Sequence, residues 1–243
     1  MPVAQPKTRE VVAKLGPSLE AGRLLLLDLE KQKLLREARA LPVKYQSLAL
    51  EGLILLLDGR VESGIAAIEQ SLTLCPTDPV TWGNYSSALS NIGLYSKHRE
   101  VLIRALDYGF PCMADHALHF AAFWADGDIL DMAISKIEKF DQAEKEPNFL
   151  PLQTASILNS FSESMKDGLQ KVAEVLMYIV ESESLVAKNS SLLTDGEGYV
   201  SFSVGIETED ADYLSYLNDK VVDEMIDRGL ESGCSVAYFE AVN

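Results

Sequence analysis

The chain has 243 residues, 47% of them hydrophobic and 24% charged, enough apolar material for one large core or two small ones, which excludes disorder throughout. Lys+Arg 21 against Asp+Glu 37 gives a formal net charge of −16, which argues against nucleic acid as a partner and favours neutral or basic proteins. Three scattered cysteines, Cys75, Cys112 and Cys234, form no disulfide framework and suit a reducing, cytoplasmic setting, and no apolar run approaches the roughly 20 residues that cross a bilayer.

The charge is uneven along the chain. Residues 1–50 hold nine Lys/Arg and five Asp/Glu (net +4), residues 51–195 ten and 21 (net −11), and residues 196–243 two and 11 (net −9). Such a gradient steers a basic partner, or lets the basic arm of one copy meet the acidic face of another. Within residues 1–44, Ser18 is placed to cap a helix running to about Leu41, where Pro42 stops it. Leu24, Leu27, Leu34, Leu35 and Ala38 form its apolar stripe, with Arg23, Lys31, Lys33, Arg36 and Arg39 mostly outside it: a basic, amphipathic helix.

The next hundred residues repeat. Tyr45–Asp78 carries Gly52, Gly64, Ser71 and Pro76; Pro79–Met113 carries Trp82, Tyr85, Leu89, Leu102 and Ala105; Ala114–Pro147 carries Ala117, Ala121, Trp124, Ala133 and Ile137, with starts 34 and 35 residues apart. Small residues such as Gly52, Gly64, Ser86 and Ala105 suit places where antiparallel helices cross closely, and a single such helix pair cannot bury its own face. On these residues, positions 45–147 resemble the tetratricopeptide repeat (TPR) family, in which a helix with a W-x2-L-G-x2-Y-like pattern is followed by one with A-x3-F-x2-A and a closing Pro. Leu150–Ser184 is expected to add a capping helix pair, with Lys166-Asp167-Gly168 as its turn, so that the helical array runs over residues 45–185.

The last fifty residues change period. Val200, Phe202, Val204 and Ile206 alternate with Ser201, Ser203 and Gly205 as a half-buried strand. Thr208 is placed to cap a helix with Glu209, Asp210 and Asp212 in its first turn and Leu214, Leu217, Val221, Met225 and Leu230 on its core face. Gly229 and Gly233 end that helix, and residues 234–242 form a second strand, giving a β-α-β module over residues 199–243 after a linker at residues 189–198. Two strands make no stable sheet by themselves, so a second copy of the chain is the favoured source of completion, with the module as the dimerisation surface.

The one candidate constellation for chemistry is Cys112, His116 and His119, spaced i, i+4, i+7 and so able to share a helix face, with Asp115 and Asp126 nearby. A metal-binding protein or metalloenzyme is therefore the alternative reading, although no fourth ligand pairs with the cluster elsewhere. No G-x-S-x-G and no phosphate cradle is present; Asp195-Gly196-Glu197-Gly198 is acidic and precedes a strand, the wrong charge and order for a phosphate loop. Glu209/Asp210 and Asp223/Glu224 fall where solvated helix faces are expected, and Asn84-Tyr-Ser and Asn189-Ser-Ser match a glycosylation pattern that matters only in a secreted chain. No enzyme activity and no cofactor is expected.

The resemblance implies a concave groove lined by the first helix of each pair. Projected onto this chain, its positions are Gln46, Ala49 and Leu53, then Gly83, Asn84, Ser87 and Asn91, then Asp115, His119 and Asp126. Asn84 matches the asparagine of family members that clamp a peptide carboxylate, but Ala49, Leu53, Asp115 and His119 replace the clamp's cations, so an apolar anchor with a cationic end fits better. The expected fold is mostly α, an antiparallel helix-pair superhelix with a small C-terminal β-α-β module. The expected function is a non-catalytic adaptor, chaperone or assembly factor that binds a basic or amphipathic peptide segment and self-associates.

Overall fold

A left-handed glycine ends the first helix. Gly22, at φ +62°, lies so close to the carbonyl of Asn91 that a Cβ there would stand 2.0 Å from the oxygen, a position that only glycine fits. The computed structural model describes residues 6–139, 149–195, 199–230 and 235–242, and the chain divides into two compact units, Met1–Leu94 and Tyr95–Asn243.

The first unit holds α1 (Pro6–Glu20), α2 (Asp28–Arg39), α3 (Lys44–Leu57), α4 (Val61–Leu74) and α5 (Pro79–Asn91). The helix expected from Ser18 to Leu41 is therefore two helices, because Gly22 and the extended stretch after it turn the chain at the place where an unbroken apolar stripe suggested continuity. Helix α3 is the centre of the unit, with ten consecutive or near-consecutive positions from Ser47 to Leu57 buried, and α1, α2, α4 and α5 all pack on it. Its apolar run is buried on every side, and so is a core helix. Helices α3 and α4 form a tight hairpin at Gly52 and Gly64, and Ser71 Oγ donates to the carbonyl of Tyr45 across it (2.7 Å). At α5, Pro79 occupies the first turn and Asp78 caps it, while the buried Trp82 donates its indole N–H to the carbonyl of Pro76 (2.8 Å).

The second unit begins with α6 (Tyr95–Asp107), α7 (Pro111–Trp124), α8 (Gly127–Lys139), α9 (Phe149–Ser160) and α10 (Glu163–Ser182). Helices start at Lys44, Pro79 and Pro111, close to the starts of the three sequence repeats, in a helical, repeat-like order. Pro147, the end of the third repeat, lies outside the described residues. The turn expected at Lys166–Gly168 is instead inside α10: Ser162 caps that helix by accepting the N–H of Met165 (3.3 Å), and Gly168 rides along its surface with nothing within 4 Å of a built Cβ. Tyr95 packs its ring on Trp124 (centroids 4.8 Å apart), and its hydroxyl accepts the N–H of Ala187 (2.9 Å), joining helices to sheet.

The C-terminal part contains β1 (Ala187–Thr194), β2 (Val200–Glu207), α11 (Ala211–Asp227) and β3 (Ser235–Val242), in the sheet order β1-β2-β3. Strand β2 is central, antiparallel to β1 and parallel to β3, with Phe202 level with both Leu192 and Ala237. The stretch expected to be a linker therefore supplies the third strand from within the chain, which removes the need for a second copy to complete the sheet. Helix α11 is capped by Asp210, which accepts the N–H groups of Asp212 and Tyr213, and Thr208 supports the cap by accepting the N–H of Asp210. Leu217 and Val221 lie on its buried face as expected, and Gly229, at φ +67°, follows its end; Gly233 and Cys234 are outside the described residues. The fold is mostly α with a small β part. No helix among the described residues is long and apolar enough to cross a membrane.

Candidate functional site

Where α3 and α5 meet, the first unit has a cavity with about 540 Å³ of open space, solvent at its mouth included. Ala49, Leu50 and Leu53 of α3, Ile68 of α4, Val80 of α5 and Val12 of α1 give it apolar walls. Gln46, Asp78, Thr81 and Asn84 add polar groups, of which Asp78 is buried to 8% exposure. The Asp78 carboxylate accepts the N–H of Thr81 (3.1 Å) and the Thr81 hydroxyl (2.6 Å), and the positive end of the α5 dipole faces it. One anion therefore sits in an apolar hollow with its charge already part-neutralised by the helix it caps. Gln46 Nε2 donates to the Tyr45 hydroxyl (3.2 Å), which fixes its amide at the rim. Chemically the hollow suits an apolar side chain, with room near Asp78 for a hydrogen-bond donor or a cation.

Of the ten positions projected from the sequence, the structure gathers four, Gln46, Ala49, Leu53 and Asn84, around this cavity. Gly83 and Ser87 of α5 are half-buried and do not line it. Asn91 is committed elsewhere, its Nδ2 donating to the carbonyl of Leu19 (2.7 Å). Asp115, His119 and Asp126 belong to the second unit; Asp115 and His119 are exposed on α7. Asp126, expected to line the groove, is instead buried at 1% exposure and presents no carboxylate to solvent: it accepts Arg99 Nε (2.6 Å) and, capping α8, the N–H of Ile129 (3.0 Å). Val12, Leu50, Ile68, Asp78, Val80 and Thr81 were not singled out by the repeat projection. Asp78 alone had a local signal, as the Asp before a Pro that opens a helix.

The alternative site does not assemble. Pro111 starts α7 and Cys112 follows it on the same helix, yet no group of three His, Cys, Asp or Glu side chains able to hold a metal occurs among the described residues. Cys112 is an exposed free thiol. His116 is half-buried, and burial foremost lowers its pKa, with Asp115 opposing and His119 reinforcing. His98 of α6 is almost wholly buried, edge-on to Phe120 (centroids 5.0 Å, 87° between planes), and burial foremost, then the nearby His116, pushes its pKa down to about 3. Of the histidines, His98 belongs to the packed interior of the unit.

Comparison with protein-family models, with curated proteins and with solved structures finds no match to this chain. The class defined here rests on the chain itself: a mostly helical, repeat-like protein with a small terminal sheet and an apolar cavity between two of its helices.

Proposed function

We propose that this chain is a non-catalytic protein-binding scaffold, an adaptor, chaperone or assembly factor, that takes an amphipathic peptide segment at the α3/α5 cavity. The observation that carries the reading is the cavity's make-up: six apolar side chains around a single buried carboxylate, with the Gln46 and Asn84 amides beside it. Such a surface suits an apolar anchor followed by a donor or cation. The resemblance of residues 45–147 to tetratricopeptide repeats supports the same class of function.

The distribution of charge refines the partner. Residues 1–94 carry ten Lys/Arg and ten Asp/Glu, net 0, while residues 95–243 carry 11 and 27, so the whole −16 belongs to the second unit. Long-range attraction of a basic partner is then the work of the second unit, and the cavity selects by shape and by Asp78. Self-association is part of the proposal and is assigned to the open edge of β3, where Val236 is 60% exposed.

The test is fluorescence anisotropy with a labelled synthetic 18-residue leucine–lysine amphipathic helix. Val80 is 55% exposed at the rim, so Val80→Lys together with Asn84→Ala leaves the core intact and is expected to weaken binding about tenfold, or about 1.4 kcal/mol. Asp115→Lys, in the other unit, should change it far less. Equal binding by the cavity variant and the unaltered chain would refute the assignment.

A further inference from the structure

Helix α1 sits on the same face as the cavity. It packs against α2, α3 and α5, and its Val12 shares the cavity wall with Ala49, Leu53 and Asn84. Its grip is thin: Val11, Leu15 and Ser18, spaced i, i+4 and i+7, are the buried positions among its described side chains. Open space borders it on both flanks, the cavity at Val12 and a second, solvent-open hollow where Glu10, Val11 and Lys14 face Glu37 of α2 and the Ala40 and Leu41 that follow it. Both hollows open to solvent, so water reaches α1 along each flank.

The helix is also a poor one by itself. Gly16 and Pro17 are consecutive within it, and a proline there removes a helical N–H donor. Its ends are held unequally. The C-terminal end is pinned: Asn91 donates to the Leu19 carbonyl (2.7 Å), the Ser18 hydroxyl accepts the N–H of Leu25 (3.1 Å), and the Leu24 N–H reaches the Leu57 carbonyl (2.7 Å). Ahead of Ser18, Val11 and Leu15 are the buried side chains among those described, Val12 lines the cavity, and the exposed Lys14–Glu37 ion pair (3.2 Å) is of the kind that adds little stability.

We infer that α1 is an exchangeable occupant of the α3/α5 face, and that the partner this face takes is an amphipathic helix with the pattern of α1's liftable turns, medium apolar side chains at i and i+4. The inference rests on the protein-binding reading above and gives its ligand a stated chemistry. Residues 18–25 act as the tether, and the turns before them lift to admit the competitor. A partner's helix without a Gly-Pro pair holds its conformation better than α1 does, and so displaces it.

The experiment uses the full chain and a fluorescein-labelled synthetic peptide of residues 6–22. Leu15 is fully buried, so Leu15→Asp in the chain should unseat α1. The peptide is expected to bind this variant at least tenfold more tightly than the unaltered chain, and a peptide carrying the same Leu15→Asp change should bind neither. Hydrogen exchange should quicken over residues 6–17 alone, with α3 and α5 still protected. Lys14→Glu, which opposes Glu37 at the surface, should give a smaller gain of about threefold without touching the core. Equal peptide binding by the variants and the unaltered chain, or exchange that quickens through α3 and α5 as well, overturns the inference, since α1 would then be an integral core element. The leucine–lysine peptide separates the two readings. If the released chain binds the α1 peptide and refuses the leucine–lysine one, the preference for a cationic partner falls and the exchange of α1 stands; the reverse result keeps the scaffold and overturns α1 as its occupant.

Discussion

Gly52 and Gly64 face each other across the α3–α4 hairpin so closely that a Cβ built on either would stand 2.8 Å from the other's carbonyl oxygen. Gly52 would also meet Ile68 at 2.5 Å, and Gly64 would meet the backbone N of Leu56 at 2.7 Å, so neither clash is relieved by moving one flexible side-chain tip. Helix propensity alone favours alanine over glycine by about 1 kcal/mol, but overpacking of this kind costs about 1–3 kcal/mol or more. Gly52→Ala and Gly64→Ala are each expected to lose about 2 kcal/mol net, measured as a lower urea midpoint. Gly168→Ala in α10, where a Cβ meets nothing within 4 Å, should gain up to about 1 kcal/mol. A gain at all three positions would mean that the hairpin is not packed this closely.

Asp126 holds two partners at once, Arg99 and the first turn of α8. Asp126→Asn keeps an oxygen for the cap and loses the ion pair; Asp126→Ala loses both. Arg99 retains 23% side-chain exposure, so its stranded charge is partly solvated, and a cost of about 3 kcal/mol is expected for the alanine variant, with the asparagine variant in between. Thermal or denaturant unfolding of the three chains measures it, and equal stabilities would show that the pair contributes nothing.

Buried His98 makes the second unit sensitive to acid. Its pKa lies near 6.5 when the chain is unfolded and about 3 when folded, so between those values the unfolded state binds the extra proton. Stability from this group is fully present above pH 6.5 and falls as the pH drops toward 3, by about 2 kcal/mol at pH 5. His98→Gln should flatten the pH dependence of the unfolding free energy across that window, whatever it does to stability at pH 7. Parallel curves for the two chains would remove His98 as the cause.

The proposed self-association is assigned to the edge of β3. Light scattering is expected to show a mass above the 26.7 kDa of one chain, and Val236→Lys, which places a charge on the exposed edge, should return it to that value. A single-chain mass for the unaltered protein at micromolar concentration would dispose of the pairing.

Local chemistry made much of the helical framework legible. Pro79 opens a helix in the structure as in the repeat, and the alternation of Val200, Phe202, Val204 and Ile206 marks the central strand. Strand β1 was missed because Asn189, Ser190 and Ser191 show no apolar alternation; an edge strand with one open side does not require it. The turn expected at Lys166–Gly168 failed for the opposite reason, since a glycine with space around it is tolerated inside a long helix.

The sequence by itself determined the charge gradient, the opening of α5 at Pro79, the β-α-β alternation and the pairing of small residues at Gly52 and Gly64, because each depends on residues near one another in the chain or on composition alone. Only the tertiary structure decided that Asp126 is buried against Arg99, that Asn91 binds the end of α1, and that Val12 and Asp78 share a cavity with Ala49 and Asn84. Those relations join residues up to about seventy positions apart, and the free energy that selects them is packing and desolvation, which no local pattern of side chains encodes.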